Sequence, residues 1–176
     1  MLFTDRGILT MVHGIVLSGA ALLGLSAALF ALWTTRKGNG RAVATDEQSR
    51  SLAQLTVFIA AALWLAVLGG TYVVFPLYRA TPPEGADLSQ FPRALIMANP
   101  NTVWLHAFAM EIKEHVPWIA SMLATAVAFV SVRYRSRMRT DASLRSMAMA
   151  LLAISFALTS FVGLLGIFIN KVAPVQ

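Results

Sequence analysis

His106-Ala-Phe-Ala-Met-Glu-Ile-Lys-Glu-His-Val-Pro117 runs directly into Trp118-Ile-Ala-Ser-Met-Leu-Ala-Thr-Ala-Val-Ala-Phe-Val-Ser-Val132. The second half carries no ionisable side chain. As a helix rising 1.5 Å per residue, the joined stretch is long enough to cross the ~30 Å hydrocarbon core of a bilayer. Three other blocks are equally long and equally apolar. The reading is an all-α, integral membrane four-helix bundle, with spans at 8–33, 52–78, 103–134 and 144–170. It leaves room for only one domain, 1–176.

Composition supports that reading. Hydrophobic residues make up 57% of the chain and charged residues 12%, about half the charged share of a soluble domain. No cysteine is present, which excludes disulfides, thiolate metal sites, Cys-held iron–sulfur clusters and covalently attached c-type haem. The net charge of +6 is read as loop charge, and no nucleic-acid partner is expected. Arg36, Lys37, Arg41 and Arg50 follow the first span, and Arg133, Arg135, Arg137, Arg139 and Arg145 follow the third. Only Arg6, Arg79, Arg93, Lys113 and Lys171 belong to the other side. The positive-inside rule then puts both termini outside the cytoplasm. The first ten residues lack the basic start and small-residue cleavage site of a secretory signal, so they are expected to be retained. The expected location is a prokaryotic inner membrane, crossed several times.

Turn chemistry marks the joints. Gly38-Asn39-Gly40 breaks the chain after the first span, and Thr81-Pro82-Pro83-Glu84-Gly85 reads as a turn after the second. A short surface helix is expected over 91–97. Gly14, Gly19 and Gly24 recur every five residues rather than every four, so they are given little weight as a helix-packing motif.

The quoted stretch holds two of the three histidines. Ionisable groups near hydrocarbon are costly, so this is where function is sought. Measured up from the arginine-bearing ends at 1.5 Å per residue, His115 lies roughly 27 Å up and His13 roughly 34 Å. Gly69 and Gly70 lie at roughly 29 to 30 Å, and Gly163 and Gly166 at roughly 27 and 32 Å. His106 is shallowest, at roughly 40 Å. Histidines from two spans therefore share a layer with glycines.

A buried b-type haem needs such a layer: an imidazole from each of two helices, and small residues where the macrocycle slides in. His13 with His115, or His13 with His106, would hold the iron. Nine residues on a straight helix is about 180° of rotation, so His106 and His115 cannot both face inward. Glu111 lies four residues before His115, on the same face, and is expected to orient its ring as an outer carboxylate does. That assigns the inner half to Glu111 and His115 and the opposite face to His106. Lys113 and Glu114 read as headgroup-facing. The glycines read equally as packing residues, and His13 as a solvated interfacial histidine.

Other chemistries fit less well. A di-iron bundle wants matching carboxylates on other helices, and the other spans have none in their apolar cores. A zinc or copper ion on His13, His106, His115 and Glu111 is conceivable. A transporter would show midplane polar groups and repeated halves.

The plan resembles the small four-helix haem b subunits that anchor respiratory oxidoreductases and pass electrons to or from quinone. Four spans, His13 on the first, and His106 and His115 on the third carry the resemblance. It implies a non-catalytic subunit of an oxidoreductase complex, with one haem b on His13 and His115, other subunits as partners, and quinone as an electron carrier. The chain departs from di-haem members, which need four ligating histidines. A haem shared across a dimer, or an axial methionine such as Met110 or Met122, would be needed for a second. The alternative is a cofactor-free accessory subunit that docks through its 80–101 loop and the 106–117 segment. A metal-dependent or proton-handling protein is a third, weaker possibility.

Overall fold

The computed structural model describes residues 4–36 and 45–174. The expected break at Gly38-Asn39-Gly40 lies outside them. Four helices are long and apolar enough to cross a membrane: Asp5–Thr34, Asp46–Tyr78, Leu105–Arg133 and Ala142–Val172. Their ends lie within three residues of the expected bounds, except that the second starts six residues early, and caps open the second and fourth. Thr45 opens the second helix with a capping box, accepting from the Gln48 amide while Gln48 Oε1 accepts from the Thr45 amide. Asp141 accepts from the Leu144 amide at 3.0 Å and starts the fourth. Such caps satisfy amides that have no partner within the helix.

The helices run up and down around a square. The first packs on the second and fourth, and the third packs on the same two, so first and third are diagonal. The inward stripes are built largely from small residues. Ala21, Leu25, Ala28 and Leu32 meet Ile59, Ala60, Ala62 and Leu63, with Ala124, Val127 and Ala128 opposite and Ala148 and Leu152 completing the square. Alanine lets backbones approach, and close packing is what holds helices together where the surroundings are themselves apolar. The large apolar side chains point outward instead: Ile15, Leu23, Phe30, Phe58, Leu65, Phe129 and Ile167 are all exposed. An aqueous surface would disfavour that arrangement, whereas lipid tails would not.

Polar bonds tie neighbouring helices. Ser155 Oγ donates to the Ala120 carbonyl at 3.0 Å, and Trp64 Nε1 donates to Thr125 Oγ1 at 2.9 Å. Of the three glycines on the first helix, Gly24 has a packing reason. A Cβ there would meet Ile59 Cγ1 at 2.8 Å, while Gly14 and Gly19 face open space.

The two ends of the bundle differ. One, the arginine end, carries the short helix Arg135–Thr140. The other, the histidine end, is capped by the segment between the second and third long helices. There Pro92–Met97 forms the expected short helix, but its Ile96 is fully buried among Tyr78, Leu105, Ala109 and Leu165. Gly85 supplies the turn with φ of 74°, a conformation that glycine adopts readily. Asp87 accepts from the amide and hydroxyl of Ser89, bonds that hold its carboxyl below the usual carboxylate range. Arg6 fastens the cap by donating to the Gln90 carbonyl at 2.9 Å and the Pro174 carbonyl at 3.2 Å.

Candidate functional site

Three of the four long helices change pitch at the histidine end. Val12–Ser18 in the first, Gly70–Val74 in the second and Leu105–Met110 in the third are π-helical. Such turns make up well under 1% of residues in ordinary proteins and cluster at functional sites. Here they fall in one layer, and two of them contain His13 and His106.

His13 faces inward, at the four-residue interval that leads through Leu17 and Ala21 to Leu25. Its ring is seated on Gly70, where an added Cβ would lie 2.6 Å from Cε1. The imidazole also interacts with the Ala66 backbone. Its Nδ1 is buried and has no hydrogen-bond partner among the described residues. Gly70 is therefore required by the close approach of His13, whereas Gly69 faces open space.

Lys113 lies within electrostatic reach of His13. The expectation that Lys113 is headgroup-facing is corrected: its Nζ would lie 3.1 Å from a Cβ added at Gly166. Among the described residues no carboxylate forms an ion pair with it. The signal was present in the sequence. Ala109, Lys113, Pro117, Ala120, Ala124 and Ala128 repeat every three to four residues, so Lys113 falls on the small-residue stripe that faces the core.

His115, two residues further on, is turned by about 200° from Lys113. It is exposed, on the outer stripe with Ile119, Met122 and Phe129. The expected split of the segment is thus reversed, with His115 and Glu111 outward and His106 partly buried. The two histidines do lie on opposite faces, as nine residues of rotation require; what is reversed is which of them turns inward. Glu111 does orient His115, but through its backbone. His115 Nδ1 lies 2.7 Å from the Glu111 carbonyl oxygen, which can only accept, so Nδ1 carries the proton.

His106 is engaged at both nitrogens. Arg93 Nε donates to Nε2 at 3.3 Å, so Nδ1 carries the hydrogen and faces Tyr78 Oη at 3.1 Å. The Tyr78 and His106 rings lie 5.9 Å apart. This triad joins the second helix, the cap and the third helix. Sequence reasoning missed both partners, because Tyr78 at a helix end reads as an interfacial aromatic residue and Arg93 as loop charge.

The structure therefore brings His13, Gly70, Lys113 and Gly166 together inside the bundle. It sets the Tyr78–His106–Arg93 triad under the cap and turns His115 with Glu111 outward. It does not bring His13 and His115 onto one face. Among the described residues no group of three or more His, Asp or Glu side chains is disposed to hold a metal ion. No family model, curated protein or solved structure matches the chain.

Proposed function

We propose that this chain is a non-catalytic membrane subunit of an electron-transfer complex, and that His115 is its haem ligand. The observation that carries the reading is the fixed tautomer of His115, Nδ1 bonded to the Glu111 carbonyl at 2.7 Å. A backbone acceptor on one nitrogen orients a ligating imidazole and leaves the other free for iron. His115 would hold the haem iron from the bundle surface. Within one copy the other histidines do not fit as a second ligand, since His13 is seated on Gly70 and His106 is bonded at both nitrogens. A second ligand would come from a neighbouring chain. A bound b-type haem would supply one-electron transfer there.

The positive-inside count puts the arginine end in the cytoplasm and the histidine end outside. Electrons would pass between an extracytoplasmic partner and quinone or another membrane subunit, within a prokaryotic inner membrane. Quinone reduction consumes protons, and Lys113 and His13 are proton-carrying groups in the same layer.

A second reading rests on the triad. Tyr78, His106 and Arg93 hold the cap in place, which makes the histidine end a fixed platform for a cofactor-free accessory subunit. One experiment separates the two readings. The intact complex is purified in mild detergent from haem-replete cells, and a reduced-minus-oxidised spectrum is recorded. A b-type α band that is lost in His115→Ala, with the complex still assembled, supports the haem reading. A complex without haem in a pyridine haemochrome assay overturns it and leaves the accessory role.

A further inference from the structure

At the arginine end, a groove of about 360 Å³ opens between the second and third helices. Its walls are Ala53, Gln54, Val57 and Val132, and Arg50 and Arg135 stand at its mouth. Val57 and Val132 are 48% and 56% exposed, so the apolar walls open sideways onto the belt of large hydrophobic side chains. The groove is thus apolar along its length and basic at one end.

The charge at that end is in excess. Arg50, Arg135 and Arg139 all converge on the single carboxylate of Asp46, at 3.9, 3.6 and 3.6 Å. Close charge-assisted bonds are about 2.7–2.9 Å. The Arg50 and Arg135 guanidiniums therefore sit loosely on Asp46 and keep donors for a second acceptor. Arg133 and Arg137 add to the field beside Tyr134, at 5.6 and 5.8 Å from its ring.

We propose that this groove binds one anionic phospholipid. Its phosphate lies between Arg50 and Arg135, and one acyl chain follows Val57 and Val132. Two observations favour a lipid over a free phosphate. The groove is walled by Ala53, Val57 and Val132, apolar surface that an inorganic ion would not cover, and Val57 and Val132 are exposed at the side of the bundle. The inference depends on the helices spanning a bilayer, but not on the haem.

The test is native mass spectrometry of the whole protein from a non-ionic detergent. Phosphatidylglycerol, phosphatidylcholine or inorganic phosphate is added in turn. A retained one-to-one phosphatidylglycerol adduct is expected, with phosphatidylcholine retained roughly tenfold less. The double variant Arg50→Gln/Arg135→Gln should lose that preference, and Arg50→Lys/Arg135→Lys should keep most of it. Both arginines are exposed, so circular dichroism of either variant should remain helical. Equal retention of the two lipids, an undiminished adduct in the Gln variant, or displacement of the lipid by inorganic phosphate would each overturn the proposal. Recovery of the protein in the soluble fraction without detergent would overturn the membrane placement instead.

Discussion

The two ends of this bundle handle charge in opposite ways. At the arginine end, Asp46 and its three arginines are at least one-third exposed at their side chains. The helices there are regular, apart from the short Arg135–Thr140 piece. At the histidine end the charge is drawn inward. Lys113 approaches Gly166, His13 is pressed onto Gly70, and His106 is held between Tyr78 and Arg93. Three helices leave α geometry to make this possible. Charge on a surface is cheap and serves orientation and headgroup contact. Charge and polar groups placed inside an apolar bundle are costly, and they persist where they serve a purpose. The contrast is why the proposed chemistry is sought at the histidine end.

Substitutions at the two ends should therefore differ in size. Ile96→Ala empties a fully buried site under the cap, and a loss of about 2–5 kcal/mol is expected in detergent unfolding. If the cap were only loosely placed, the loss would fall well below 1 kcal/mol. Gly70→Ala comes next. Its new methyl meets the His13 ring, and a loss of about 1–3 kcal/mol is expected. Gly163→Ala, into open space on the fourth helix, should instead gain about 0.5–1 kcal/mol from backbone entropy. Equal shifts in the thermal midpoints of these two variants would refute the His13–Gly70 contact.

Tyr78→Phe removes the partner of His106 Nδ1, and a loss of about 0.5–1.5 kcal/mol is expected. In a double-mutant cycle with His106→Ala the two losses should fail to add. Additive losses would show that the triad is not coupled. The smallest effect belongs to the arginine end. Asp46→Asn should change stability by at most about 1 kcal/mol, and the change should shrink as salt is raised. A larger, salt-insensitive loss would mean that the cluster holds the bundle together and that the contrast between the ends is overstated.

The architecture was legible because apolar length is a strong signal. Four blocks of bilayer-crossing length left few alternatives, and all helix ends but the start of the second lie within three residues of their expected bounds. The layer shared by His13, Gly70 and Gly166 was also legible, since axial rise depends only on residue count. Which face turns inward was not. Nine residues put His106 and His115 on opposite faces, as found, but the depth of His115 and its carboxylate neighbour pointed it inward, and it lies outside. Lys113 was misread for a different reason. A lysine between two glutamates looks solvated, and composition outweighed the four-residue spacing that puts it on the alanine stripe. Gly24 was undervalued because the five-residue interval was taken as a whole, whereas one member of the three meets a neighbouring helix.

The central claim is that cofactor chemistry resides on the outward His115, while the inward histidines shape and charge the bundle. It is tested most directly by measuring haem per chain in the assembled complex for His13→Ala, His106→Ala and His115→Ala. The account predicts that haem and the b-type α band are lost in His115→Ala alone, with the other two variants retaining both at reduced stability. Loss of haem in His13→Ala with full retention in His115→Ala would contradict it.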